Sequence, residues 1–231
     1  GWTYLNYFSN NFSYTSPQDV IKKYFPEDES FLKDNFLDNV LELAQNSEGE
    51  QVGMPYSLSS PVLFYNADLL KEAGLSENGP ETWEEVEEYS KQIQEKTGKY
   101  GLYMREGPDS WNQQALLESN GAQMITEENG KSVASFASEE GIEAFKMYAD
   151  MVNNKEALHA SWEEGFQAFL NGEVAMCHTT IAYMATIEST AQFDVRAVSS
   201  PQWEGKERVV PAGGCFLAIT AQDEEQQKAA W

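Results

Sequence analysis

The segment GMPYSLSSPVLFYNADLLKEAGL, residues 53–75, combines extended and helical patterns in one short stretch. Pro55 and Pro61 punctuate its extended part, because proline lacks the N–H that a central strand donates. The apolar run that follows Pro61 predicts a buried strand. It leads directly into ADLLKEAG, a short helix that Gly74 ends. A strand followed at once by a helix is the repeating unit of α/β folds.

The same alternation continues along the chain. Thr82-Trp83-Glu84-Glu85 and Ser161-Trp162-Glu163-Glu164 are capping boxes, which predict helix starts. Asn129-Gly130 is a strong signal for a hairpin. Further strands are expected in residues 100–104, 173–179, 191–201 and 210–220. This order of elements predicts an α/β fold with a mostly parallel sheet.

Two further segments carry helical periodicity. Residues 30–46 have apolar side chains at the spacing of one amphipathic helix. In residues 139–154 the same spacing places Ile142, Phe145, Tyr148 and Val152 on one stripe, which predicts that these four face the core.

Composition excludes several classes of protein. The 231 residues contain 15 Lys+Arg against 38 Asp+Glu, a net charge of −23. Nucleic acids and anionic membrane surfaces require a basic face, so neither is an expected partner. An aromatic content of 13% argues against an acidic disordered polymer. Two cysteines are too few for a disulfide scaffold.

The common catalytic and metal-binding motifs are absent from the sequence. It contains no G-x-S-x-G, phosphate loop, G-x-G-x-x-G or H-E-x-x-H. We therefore expect no cofactor, no metal and no catalytic residues. Cys177 and Cys215 are interpreted as buried small side chains, with a bridge between them left open. Cys177 and His178 should point to opposite faces of a strand, which argues against a nucleophile pair.

Four segments in matching order resemble extracellular solute-binding proteins, family 1. These are the sugar-binding receptors of ABC importers in the maltose-binding-protein superfamily. The family pattern of a small residue, proline and an aromatic, then a strand ending in Tyr-Asn, matches residues 53–75. The other matches are PETWEEVEEYSKQI (80–93), FQAFLNGEVAMCHTT (166–180) and VPAGGCFLAI (210–219).

The resemblance implies a class II periplasmic-binding-protein-like α/β fold with two lobes joined by chain crossings. Lobe one would comprise residues 1–57 and 212–231, and lobe two residues 62–208. The crossings would fall near 55–61 and 209–214. Family members are longer at both ends, so lobe one is expected to be incomplete and the chain to be an internal fragment.

In the family, ligand binds in the cleft between the lobes, and several positions at the crossings match. Tyr56 supplies an aromatic face for a sugar ring, and Ser57 and Ser59 supply hydroxyl partners. Gly213 and Gly214 have no side chain, so the backbone there can approach a ligand closely. The alternative for the serines is a polar edge strand.

Three more candidates belong to lobe two. Trp111 follows a Gly-Pro-Asp-Ser turn at a helix start, where the family often places a cleft aromatic; its alternative is a core position. Thr179 and Thr180 follow a buried strand at the rim where the family contacts ligand. For Trp162, a position in the cleft and a position in the core both remain open. Trp2, Tyr4 and Tyr7 could line the wall of lobe one, although no family motif reaches them.

The implied function is that of an extracytoplasmic receptor, periplasmic or lipid-anchored, that hands a carbohydrate to ABC permease subunits. It would act as a monomer and catalyse nothing. The first alternative is a receptor for glycerol 3-phosphate or glycerophosphodiesters. The three arginines match no family motif, which favours a neutral sugar. A glycoside-active enzyme and a lobe without a complete site are the remaining alternatives.

Overall fold

The computed structural model describes residues 4–105 and 111–231. The chain folds into two compact units, one made of Gly1–Ser59 with Ala212–Trp231 and the other of Ser60–Pro211. We call them unit 1 and unit 2. Within the described residues, no helix combines the length and the apolar composition needed to cross a membrane.

Unit 1 contains five helices and two strands among its described residues. These are α1 (Leu5–Asn11), α2 (Pro17–Tyr24), α3 (Phe31–Asn35), α4 (Asp38–Glu42), β1 (Met54–Ser59), β8 (Gly213–Leu217) and α11 (Glu224–Ala230). Unit 2 contains β2 (Pro61–Asn66), α5 (Ala67–Glu72), α6 (Trp83–Thr97), β3 (Tyr100–Met104), α7 (Trp111–Ser119), β4 (Ile125–Glu128), β5 (Lys131–Ala134), α8 (Glu139–Asn153), α9 (Trp162–Leu170), β6 (Val174–Thr180), α10 (Met184–Thr190) and β7 (Val195–Ser199).

The central sheet of unit 2 has the strand order β3-β6-β2-β7. Only the β3–β6 pair is parallel, because β2 runs antiparallel to both β6 and β7. The prediction of a mostly parallel sheet was therefore wrong. The order of strands and helices along the chain does not specify strand direction, which depends on how the chain returns to the sheet.

The strands of this sheet alternate their side chains between two apolar layers. Leu63, Leu102 and Met176 face the layer that contains α6 and α8. Phe64, Tyr103 and Cys177 face the layer that contains α9 and α10. Period-two alternation with both faces buried is what a sheet between two helical layers requires.

The local signals in the sequence are confirmed. Thr82 and Ser161 each accept a hydrogen bond from the backbone N–H of the glutamate three residues on, and both capping boxes are complete. Asn129 and Gly130 have φ values of 52° and 72°, and they connect β4 to β5. Two positive φ angles are what a two-residue hairpin turn requires.

Two helix predictions need correction. Residues 30–46 form α3 and α4 with extended backbone at Phe36 between them. The Asn35 side chain donates to the Phe31 carbonyl (2.8 Å), and such short polar side chains compete with helix continuation.

The predicted apolar stripe of α8 is confirmed for Tyr148, which is buried, and for Val152, which packs partly buried against the core, but it is wrong for Ile142 and Phe145. The helix buries Gly141, Ala144, Tyr148 and Met151, whereas Ile142 is 59% and Phe145 41% exposed. A Cβ at residue 141 would overlap the carbonyl of Phe136, so the small residues permit a close approach on that side. Close packing of small residues outweighs the burial of the larger ones.

In unit 1, β1 and β8 form an antiparallel ribbon. The pairing shifts between Pro55 and Ser57, so Tyr56 is the extra residue of a β-bulge. A small core of Leu5, Ala44 and Val52 lies beside it.

A testable consequence concerns Gly101 in β3. A Cβ there would overlap the Cα and Cβ of Ser90 in α6, and backbone cannot move aside as a side-chain tip can. We expect Gly101→Ala to lower the free energy of unfolding by about 3 kcal/mol, measured by urea denaturation. Gly98→Ala is the control, because that residue has φ +72° but open space, and only about 1 kcal/mol is expected. Equal losses for the two variants would contradict the steric explanation.

Candidate functional site

The carboxyl ends of β3 and β6 lie at the same edge of the unit 2 sheet, because the two strands are parallel. The start of β2 and the end of β7 lie at this edge too, since Pro61 pairs with Thr180 and Val62 with Ser199. We call it the carboxyl edge. Ligand sites of open α/β sheets gather at this edge, where loops rather than strands shape the surface.

Arg105 directly follows β3 at the carboxyl edge and is half-buried. Its guanidinium lies 5.0 Å from the centre of the Trp162 ring, a cation–π distance. The Arg105 carbonyl accepts a hydrogen bond from Gln113 in α7 (3.2 Å). Arg105 therefore touches both the helix that follows β3 and the helix that precedes β6.

Trp162 stacks on Phe166, with ring centroids 4.6 Å apart, and on Tyr183 at 4.9 Å. We call Arg105, Trp162, Phe166 and Tyr183 the edge cluster. The three aromatic residues are half-buried, so each keeps part of its surface in contact with solvent.

Local structure fixes Trp162. It is the first residue of α9, directly after the Ser161 cap. The Tyr103 hydroxyl donates to the Ser161 carbonyl (3.0 Å), which ties the start of α9 to β3. The cap residue Ser161 is thus bonded both to α9 and to Tyr103, which fixes the backbone that carries the Trp162 ring. A side chain held in place in this way loses little conformational entropy when it contacts a ligand.

The edge cluster suits polar, hydroxylated solutes. A guanidinium donates paired hydrogen bonds to phosphate or carboxylate oxygens. Aromatic faces pack against the C–H groups of sugars and polyols. At the carboxyl edge, Arg105 carries a guanidinium, and Trp162 and Tyr183 carry aromatic rings.

The two threonines predicted at this edge differ in their surroundings. Thr179 is fully buried, and its Oγ1 has no hydrogen-bond partner among the described residues. Thr180 is half-buried, and its Oγ1 accepts from the backbone N–H of Ala182 (3.1 Å). Thr180 therefore lies at the surface of this edge, whereas Thr179 lies beneath it.

His178 lies inside this edge and has no exposed surface. Its Nε2 is 2.9 Å from the Ser200 hydroxyl, and its ring meets the Trp83 ring edge-on at 5.1 Å. Burial lowers the pKa of His178 to about 3, so the imidazole is neutral at physiological pH. Cys177 faces the opposite apolar layer, as predicted, and burial raises its thiol pKa.

Trp111 begins α7 and is half-buried. The Gly-Pro-Asp-Ser turn that the sequence places before it, residues 107–110, lies outside the described residues. Trp2 lies outside them as well.

In unit 1 the predicted residues gather on the β1–β8 ribbon. Tyr56 is 69% exposed, as expected for the extra residue of a bulge. Ser57 pairs with Cys215, and its hydroxyl lies 3.1 Å from the sulfur. Ser59 pairs with Gly213.

Gly214 has φ 128°, which only glycine adopts without strain, and it pairs with Leu58. Cys177 and Cys215 are both free thiols, and Cys215 is half-buried rather than buried as predicted. A pairing position on a two-stranded ribbon leaves one face of each residue open to solvent.

Sequence reasoning missed Arg105, Phe166 and Tyr183 as candidate residues. The signal for Arg105 was its place directly after a predicted strand. Arg105 and Tyr183 contact Trp162 from segments far apart in the chain, and no local sequence pattern predicts these contacts.

Known proteins match this chain over part of their length. The sn-glycerol-3-phosphate-binding periplasmic protein UgpB of Brucella abortus (strain 2308) is 26% identical over 206 residues, covering 86% of this chain and 47% of that protein. The protein of the same description from Rhizobium meliloti (strain 1021) is 25% identical over 207 residues, covering 86% and 48%. The chain thus spans about half the length of these curated relatives.

Solved structures establish the fold. UgpB from Mycobacterium tuberculosis, in complex with glycerophosphocholine, has a TM-score of 0.83 at 22% identity, covering 98% of this chain and 57% of that one. The GacH receptor of Streptomyces glaucescens has a TM-score of 0.78 at 23% identity, covering 99% and 59%. The fold is that of class II periplasmic binding proteins, as the resemblance implied.

The family model described as bacterial extracellular solute-binding protein matches residues 10–231. This match covers nearly all of the chain and agrees with both the relatives and the fold. The chain therefore belongs to the bacterial extracellular solute-binding protein family.

Proposed function

We propose that this chain is the ligand-recognition part of an extracytoplasmic solute receptor that delivers its ligand to the permease of an ABC importer. Membership of a solute-binding family supports this proposal. Units 1 and 2 would be the two lobes of such a receptor. The protein would act as a monomer and perform no catalysis.

The ligand that the geometry favours is a phosphate-bearing polyol, such as glycerol 3-phosphate or a glycerophosphodiester. The stack of Arg105 on Trp162 at the carboxyl edge is the observation that carries this choice. Packing against an indole holds the guanidinium in place, so less side-chain entropy is lost when it pairs with a phosphate. The relatives described as glycerol-3-phosphate-binding proteins support the same ligand class.

A carbohydrate is the second candidate, and the aromatic part of the edge cluster favours it. Trp162 and Tyr183 are partly exposed aromatic residues, and Tyr56 is an exposed one on unit 1. Ser57, Ser59, Trp111, Thr179, Thr180, Gly213 and Gly214 stay predicted contacts for either ligand.

The test is a calorimetric titration of the chain with glycerol 3-phosphate, glycerophosphocholine, glycerol and maltose. We expect saturable binding of a phosphate-bearing compound, weakened by added salt because the contact is charged. Arg105→Gln should weaken that binding by roughly tenfold to a hundredfold, the range for a hydrogen bond to a charged group.

Arg196→Gln is the matched control. Arg196 belongs to β7, pairs with Tyr65 toward the other end of the sheet, and binds Asp194 (2.6 Å). Its replacement should leave the affinity unchanged. Saturable binding of maltose alone would overturn the phosphate ligand and favour the sugar. Absence of saturable binding to all four compounds would contradict ligand recognition by this chain.

A further inference from the structure

An apolar groove runs along the outward side of α8 in unit 2. It has a volume of about 360 Å³ and is lined mainly by Phe136, Ile142, Phe145 and Ala149. Phe136 is 43%, Ile142 59% and Phe145 41% exposed, so three large apolar side chains meet solvent together. Contiguous exposed apolar side chains of this kind mark interaction sites more often than isolated ones do.

A second cavity, of about 440 Å³, shares the Lys146 wall of this groove. Four carboxylates line it, from Glu84, Glu87, Glu143 and Asp150. Its two lysines are already engaged: Lys146 pairs with Asp150 (2.5 Å), and Lys206 donates to the Asn120 carbonyl (2.7 Å).

Four carboxylates against two lysines leave the lining of this second cavity with a net negative charge, and Glu87 is repelled by its acidic neighbours. Burial, and then the negative charges of Asp150 and Glu84, raise the pKa of Glu87 above its ordinary value. A cation placed in the cavity would relieve this repulsion, so the cavity is electrostatically complementary to a lysine or arginine side chain.

We propose that this α8 surface, the apolar groove and the acidic cavity together, docks a basic protein segment. Its apolar side chain would fill the groove beside Phe145, and a neighbouring lysine or arginine would enter the acidic cavity. Helix α8 packs on one face of the sheet, whereas Trp162, Phe166 and Tyr183 pack on the other, so the α8 surface is distinct from the proposed ligand site.

Charge argues against a second copy of this chain as the occupant. The chain carries a net charge of −23, and two such surfaces in contact would repel within the screening distance of about 8 Å at physiological salt. A small apolar ligand would use the groove alone and would make no use of the net negative charge of the adjoining cavity. A basic segment with an apolar anchor satisfies both parts.

The probe is a fluorescent amphipathic helical peptide of leucine and lysine, titrated against the full chain by fluorescence anisotropy. A peptide with glutamate in place of lysine is the matched control probe. We expect saturable binding of the lysine peptide only. Phe145→Ser should weaken it about tenfold, as removal of an apolar anchor does. Glu87→Gln should weaken it and reduce its dependence on salt.

Control variants separate docking on α8 from general attraction to an acidic protein. Leu37→Ser removes a side chain that is 71% exposed in unit 1, and Glu128→Gln removes a charge from the β4–β5 hairpin. Neither should change the affinity. Equal weakening by control and α8 variants, or binding of the glutamate peptide, would overturn the proposal. So would an absence of saturable binding. If Phe145→Ser fails to fold by circular dichroism, Ile142→Ser, at a more exposed position, carries the test.

Discussion

Replacing Trp83 by alanine is expected to lower the free energy of unfolding by about 3–5 kcal/mol, as for other large buried aromatic residues. Trp83 has no exposed surface and is the first residue of α6. Its indole packs in the larger apolar cluster and meets His178 edge-on. Its backbone N–H donates to the Gln202 carbonyl (2.9 Å). The start of α6, β6 and the segment around Gln202 therefore meet at this residue, and loss of the ring would leave a cavity between them.

Trp83→Phe separates the volume of the ring from its polar atom. The Trp83 Nε1 has no hydrogen-bond partner among the described residues, so phenylalanine removes an unsatisfied donor together with part of the ring. We expect a loss of only about 1–2 kcal/mol for this variant. Urea denaturation at neutral pH measures the free energy of unfolding of both variants. A loss for alanine no greater than that for phenylalanine would contradict the cavity explanation.

The features that the sequence predicted well are those that depend on neighbouring residues. A capping box needs only Thr82 and Glu85, and a hairpin turn needs only Asn129 and Gly130. These interactions form between residues a few positions apart, so their pattern survives in the sequence. Membership of the family followed from longer matches of the same kind.

Strand direction and helix orientation were predicted less well because they depend on distant partners. The direction of β2 relative to β6 follows from the whole intervening chain. For α8, the predicted buried face was chosen from the spacing of the large apolar residues Ile142 and Phe145, and the small residues Gly141 and Ala144 were given no weight. The structure buries the smaller pair, because they let the helix approach its neighbours closely.

The candidate site shows the same difference between features set by neighbouring residues and features set by distant ones. Tyr56 and Thr180 could be proposed from the sequence because they lie inside a matched motif, and they stay predictions. The contact between Arg105 and Trp162 required the fold, since β3 and α9 are separated by α7, the hairpin and α8. The bulge that exposes Tyr56 also depends on pairing with β8, which comes from the far end of the chain.

The stability of the protein is expected to fall more steeply below pH 6.5 because of His178. An unfolded histidine has a pKa of about 6.5, whereas burial lowers the folded value to about 3. Between these values the unfolded state binds a proton that the folded state does not. The contribution of the neutral, buried imidazole is therefore fully present above pH 6.5, and it is lost at about 1 kcal/mol for each pH unit below that.

His178→Gln isolates this effect, because glutamine can still hydrogen-bond to Ser200 but has no proton to take up. Urea denaturation between pH 6.5 and 4.5 should give a shallower pH dependence for this variant than for the parent chain. The 38 acidic residues titrate in both proteins, so their contribution cancels in the comparison. Equal slopes for His178→Gln and the parent would mean that His178 takes up its proton without unfolding, and that the imidazole is more accessible to water than its position beneath the carboxyl edge implies.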